Sequence, residues 1–211
     1  MKRITLNLVI TALAVTAVFT SCGKDNGDGE EGNNIIGESA AITQITAKIE
    51  NAAEYGSFNM VALRARYLGS LEILAEAEFK NGGFTLQLPE MVDEKFLRNA
   101  PFGGSSTITI SNKDAKFLYS ADISLFNSDY GNYFITFVAS NETETTLSTK
   151  QYWYVDSDVN ISGKEPDFSS SLTLKKGWNV VYIIIHATGR GVQSWEYRSS
   201  PPVGGLKWQR E

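Results

Sequence analysis

Chemistry at a protein site needs nucleophiles, bases or metal ligands held close together, and this 211-residue chain offers few. It has one histidine, His186, and one cysteine, Cys22. A hydrolytic triad or a zinc site draws on His or Cys with partners, and a lone histidine supplies neither. His186 shares strand parity with Trp178, Val180, Tyr182 and Ile184, so it reads as a strand-end histidine with an ordinary hydrogen bond. The stretch Asp156-Ser157-Asp158-Val159-Asn160 has a spacing that lets Asp156, Asp158 and Asn160 converge on calcium. Calcium takes about six to eight oxygen ligands. An EF-hand loop would want Gly where Ile161 stands and Glu where Asp167 stands, so the competing account is a turn with local Asx bonds. Glu72, Glu76 and Glu78 share a strand face under strict alternation. Glycoside hydrolysis uses two carboxylates about 5–10 Å apart. Arg64 and Arg66 on the preceding strand favour a solvated ion-pair ladder instead. No catalytic residue is assigned on this reading, and no cofactor is implied.

Aromatic rings are the remaining candidates. Tyr152 and Tyr154 share one strand face with Trp153 on the other, Trp195 and Tyr197 share a face, and Trp208 lies near the C-terminus. Exposed rings dock sugars and dominate protein interfaces. Tyr152, Tyr154, Trp195 and Tyr197 are therefore the candidate ligand-binding residues, although most rings in a β-sandwich belong to its core.

Period-2 alternation supplies the elements that must position these residues. In 59–67 Val61, Leu63, Ala65 and Tyr67 face one way; in 71–79 Leu71, Ile73, Ala75, Ala77 and Phe79 do. A loop at Leu68-Gly69-Ser70 would set Tyr67 opposite Leu71 and Arg66 opposite Glu72. Asn81-Gly82 suits a type I′ turn, which would face Phe79 with Phe84 and make 59–88 a three-stranded meander. After Pro89, residues 91–97 allow a helical turn or two, and 99–104 a loop. Further strands are expected at 42–50, 107–111, 115–127, 133–139, 151–155, 170–174, 193–197 and 206–209. In 115–127, Phe117, Tyr119, Ala121, Ile123 and Leu125 would share a face. Residues 178–187 are apolar on both faces and predict a central strand covered on both sides. The expected fold is all-β, an antiparallel β-sandwich of about eleven or twelve strands. The alternative is two small sandwiches, 35–100 and 105–211, divided near 100–105.

The first 34 residues differ in kind. Lys2 and Arg3 precede an uncharged stretch, 4–19, which is short for a span needing about 20 apolar residues. With the small residues before Cys22, this is the build of a secretory signal, residues 1–21. Residues 22–34 carry Gly, Asn and acid without an apolar side chain beyond the cysteine, and read as a flexible tether to the body at 35–211. Removing 1–21 takes two basic residues, leaving 17 against 24 acidic ones and a net charge near −7. An acidic body without a basic aromatic patch argues against nucleic acid. With one cysteine, no intrachain disulfide forms.

Phe19-Thr20-Ser21-Cys22 resembles the lipobox of bacterial lipoproteins, which implies cleavage before Cys22 and diacylglyceryl attached to it. The acidic Gly23–Asn34 run is similar to the surface-export signal of Bacteroidota lipoproteins. Leu174-Lys175-Lys176-Gly177-Trp178-Asn179 and Gly204-Gly205-Leu206-Lys207-Trp208 also resemble endings in that group. The resemblance implies an all-β protein anchored to the outer membrane by lipid, facing the cell exterior, and it assigns no functional residue beyond Cys22. The expected function is non-catalytic binding of a ligand or of another surface protein. The alternative is a carbohydrate-binding accessory of a glycan-uptake system.

Overall fold

Alternating apolar and polar side chains make strands of most of the chain between residues 40 and 210. The computed structural model describes this span except for residues 50, 51, 103, 106, 130–133, 144, 189, 190 and 204. The expected signal at 1–21, Cys22 and the expected tether at 22–34 lie outside the described residues.

The strands are β1 (Gln44–Lys48), β2 (Met60–Tyr67), β3 (Ser70–Glu78), β4 (Gly83–Gln87), β5 (Arg98–Asn99), β6 (Thr109–Ile110) and β7 (Lys116–Phe126). They continue as β8 (Phe134–Glu142), β9 (Thr146–Val155), β10 (Val159–Glu165) and β11 (Phe168–Leu174). β12 (Gly177–Thr188), β13 (Gly191–Arg198) and β14 (Lys207–Arg210) complete the set. The protein is all-β. β1 and β4 form a small antiparallel sheet, and the other strands form a large one in the order β3-β2-β7-β8-β9-β12-β13-β11-β10-β6. β14 joins β8 and β5 joins β7. Pairing is antiparallel except between β11 and β13, which run parallel. β2 pairs with β7 from Met60↔Phe126 to Ala65↔Ala121, so segments on both sides of the 99–104 loop share one sheet.

β12 is the two-faced strand expected from 178–187. It pairs with β9 from Gly177↔Val155 to His186↔Thr146 and with β13 on its other edge. Tyr152, Tyr154, Trp178 and Val180 point into one core with Val61, Leu63, Leu125 and Trp208. Their neighbours Trp153, Val155, Val181 and Ile183 point into a second core with Phe117, Ile161, Leu172 and Leu174. The small sheet covers the first core: Ile45 pairs Leu86 and Ala47 pairs Phe84, all four buried.

Several local expectations change. The β2–β3 loop has two residues, not three: Leu68 (φ 46°) and Gly69 (φ 86°) both take the left-handed backbone that a type I′ turn requires. Tyr67 thus pairs Ser70 and Arg66 pairs Leu71, and a register shift between Leu63 and Arg64 restores the pairing of Leu63 with Ala75. This bulge reverses the alternation in β3, so Leu74 packs on the first core while Ile73 is exposed. Asn81-Gly82 forms the anticipated turn, with φ 53° and 75°. A Cβ on Gly82 would lie 2.6 Å from the Cβ of Ala52, so glycine is also required sterically. After the turn β4 leaves β3, however. It pairs with β1 because Phe84 and Leu86 gain more by lying over the core than by extending an edge. In β7 a shift between Leu118 and Ala121 turns Phe117 toward the second core while Ala121, Ile123 and Leu125 face the first. The helical turn in 91–97 is the short 3-10 segment Glu94–Phe96, where Asp93 accepts from the Lys95 amide at 3.0 Å.

The small sheet's role yields a prediction. Leu86→Ala, at a fully buried position, should cost about 2–5 kcal/mol in denaturant unfolding. Thr46→Ala on the outer face, whose hydroxyl meets that of Thr85 at 3.2 Å, should cost under about 1 kcal/mol. Equal small losses would mean that the sheet does not cap the core.

Candidate functional site

The candidate rings are not brought together. Tyr152 and Tyr154 are core residues, 3% and 4% exposed, and present no face to a ligand. They point inward because β9 is covered on both sides. Tyr197 is half-buried, with Phe102 at 5.2 Å and Phe168 at 5.4 Å between ring centroids. Trp195 is 40% exposed at the open end of the second core, opposite Ile185 and Phe168 in register. Of the four proposed rings, Trp195 alone offers a substantial free face.

In the D-x-D-x-N segment the two aspartates have protein partners. Val159 begins β10, so Asn160 is a strand residue whose amide donates to Ser111 Oγ at 2.9 Å. Asp156 Oδ1 accepts from the Lys116 amide at 2.9 Å and from Ser157 Oγ at 2.8 Å. Asp158 accepts from the Lys176 amide at 2.8 Å and pairs with Lys175 Nζ at 3.3 Å, which together hold its carboxyl below the usual range. The carboxylates clamp two different inter-strand junctions, and protein donors already occupy them. Among the described residues, no group of three His, Cys, Asp or Glu side chains is placed to hold a metal ion.

The glutamates separate as well. Glu76 and Glu78 stay on the outer face, where Lys80 meets Glu78 at 2.6 Å. The β3 bulge turns Glu72 to the other side, 2.7 Å from Lys95 Nζ, and that ammonium also lies over the Phe96 ring at 4.9 Å. The ion-pair ladder is absent because Arg64 is buried: its Nε donates to Ser124 Oγ at 3.1 Å and its guanidinium lies 4.1 Å over Phe134. Asp122 stands opposite Arg64 in register, and burial raises its carboxyl despite that neighbour. His186 is exposed, with Nε2 3.9 Å from Glu196 Oε2.

Two features escaped the sequence reading. One is a cavity of about 270 Å³ between the Leu68-Gly69 turn, Phe96 and Arg98, and Phe117–Tyr119 of β7, with Arg66 in its wall. Arg98 Nη1 donates to the Lys95 and Leu97 carbonyls at 2.7 and 2.8 Å, which fixes the guanidinium without neutralising it. Leu68 is 85% exposed at the rim, and Tyr119 is 37% exposed. The leucine at a turn position that favours Asn or Gly was the only sequence sign. The other feature is Lys150, opposite both Ala139 and Tyr182 in register, with its ammonium 5.2 Å from the Tyr152 ring. Burial pushes that ammonium down to about 8. Burial also raises the phenols of Tyr152 and Tyr182, and the Tyr152 hydroxyl has no hydrogen-bond partner among the described residues.

No protein-family model matches this chain, and no curated protein or solved structure is significantly similar to it.

Two predictions follow from this geometry. Millimolar calcium should leave the thermal midpoint unchanged, because the Asp156 and Asp158 oxygens are already taken; a clear rise with calcium would restore the metal reading. The second concerns pH. Lys150 titrates near 10.5 when unfolded and near 8 when folded, so between these values the unfolded chain binds more protons. Stability should rise across that window by about 3 kcal/mol as the cost of burying the charge disappears. Lys150→Met should be more stable than the native chain at pH 7 and should lose this contribution, as thermal unfolding from pH 7 to 10 would reveal.

Proposed function

We propose that this chain is a bacterial lipoprotein, held to the outer membrane by lipid on Cys22 and facing the cell exterior. Its β-sandwich binds a ligand or a partner protein without chemistry. The observation that carries the reading is the junction Ser21-Cys22 after a basic start and an uncharged stretch of 16 residues, 4–19, followed by an acidic tether. Acyl chains on one residue give firm anchoring, since each buried CH₂ contributes about 0.8 kcal/mol. The domain presents a concave site suited to holding a small ligand: the cavity at the β2–β3 turn has a volume near the lower end of ligand pockets, about 300 Å³.

A second reading is carbohydrate binding within a glycan-uptake system. The exposed ring of Trp195 favours it, because a sugar's C–H face stacks on such a surface. Buried Tyr152 and Tyr154 do not contribute.

The anchor is tested by metabolic labelling with a fatty-acid probe in cells expressing the full chain. The native protein should incorporate label and begin at Cys22, and Cys22→Ala should do neither. An unlabelled native protein that retains Met1 would overturn the reading. For the carbohydrate reading, Trp195→Ala should abolish signals on a glycan array at unchanged thermal midpoint.

A further inference from the structure

We infer that the cavity at the β2–β3 turn is a binding site for a small ring-bearing carboxylate, of which an acidic sugar is the form suited to an exported domain. This deepens the ligand-binding reading above and rests on it, but not on the lipid anchor.

Charge comes first. Two guanidiniums, Arg66 and Arg98, line a space of about 270 Å³, and no Asp or Glu lines it with them. Formal ion pairs to carboxylates join Lys80 with Glu78, Lys95 with Glu72, Lys175 with Asp158 and Arg198 with Glu196, and surface cations such as Lys113 and Lys164 stand outside them. Among the described residues, Arg66 and Arg98 have none. Glu72 is bonded to Lys95, and Asp122, opposite Arg64 in register, acts on Arg66 through space without forming an ion pair with it. An acidic protein thus places two guanidiniums without a directly bonded carboxylate at one concave position.

Preorganisation comes next. Both N–H groups of Arg98 Nη1 point to backbone carbonyls, and β5 pairs Arg98 with Phe117 in the wall of the same cavity. A guanidinium carries five N–H donors. The remaining ones, on Nη2 and Nε, form the edge that suits a carboxylate, and their side chain has already lost its freedom. Arg66 supplies the second charge from β2.

The rim explains the ring. Leu68 exposes an apolar side chain from a left-handed backbone, a conformation that costs a non-glycine residue about 1 kcal/mol or more. Tyr119, whose ring packs against Trp153 at 5.9 Å between centroids, is 37% exposed and also lines the cavity. Strain and exposure together at one rim residue favour a role there over stability. A cavity of this size takes one sugar-sized ring with its carboxylate against the arginines.

Calorimetric titration of the full chain in detergent tests the proposal, with sodium glucuronate, glucose and benzoate as probes. Glucuronate should bind and glucose should not. Arg66→Gln and Arg98→Gln should each weaken binding about tenfold, the loss of one charge-assisted bond. Arg66 is exposed, so Arg66→Gln keeps the test valid if Arg98→Gln lowers the melting temperature. Leu68→Asn, better suited to the turn, should raise the melting temperature and weaken binding together. Binding of benzoate without glucuronate would retain the carboxylate site and reject a sugar as its source. Equal glucuronate affinity in the double arginine variant, or no binding of either carboxylate by the native chain, would overturn the proposal. Neither result bears on the fatty-acid label at Cys22, so loss of the pocket and loss of the anchor are separate outcomes.

Discussion

The structure depends on one ladder, the pairing of β9 with β12, in which successive side chains feed opposite cores. Tyr152 and Tyr154 enter the first and Trp153 and Val155 the second, while Trp178 and Val181 do the same from the facing strand. Cohesion must come from this packing, since the single cysteine leaves no intrachain crosslink. Hydrogen bonds at its end reinforce it: Trp178 Nε1 donates to the Pro89 carbonyl at 2.9 Å, and Asn179, fully buried, bridges Lys175 and Gly177. Apolar surface buried on both sides of one sheet is worth about 25 cal/mol per Å², and a two-sided strand collects it twice.

Around this ladder, irregularities decide which way side chains point. A strand has a side-chain period of two, so one extra residue reverses every later position. The shift at Leu63/Arg64 sends Glu72 to Lys95 and leaves Ile73 in solvent. The one at Leu118/Ala121 gives β7 two faces and turns Tyr119 away from the first core. Both bulges flank the arginine-lined cavity. The cavity is therefore a product of the same register changes that let one sheet serve two cores, and two arginines but no acid line it.

The buried polar groups follow the same logic. Lys150 and the Tyr152 hydroxyl sit on the first-core side of β9. Their charged forms are disfavoured by lost hydration, which moves the ammonium and the phenol in opposite directions on the pH scale. Arg64 is accommodated differently: a serine hydroxyl and a ring face satisfy it where water cannot.

Much of the fold was legible along the chain because alternation is local. The Asn81-Gly82 turn, the two-faced strand at 178–187 and the all-β class rest on backbone preference and side-chain period, which neighbouring residues determine by themselves. Pairing partners are not local. The parallel contact of β11 with β13, the departure of β4 to join β1, and the bulges depend on which surfaces can be buried together, a property only the assembled sheets possess. For the same reason Tyr152 and Tyr154 resembled a platform in the sequence and became core, while Arg66 and Arg98, 32 positions apart, met only in the fold. The residues through Cys22 are the converse case: the export signal proposed for them rests wholly on the order of their side chains.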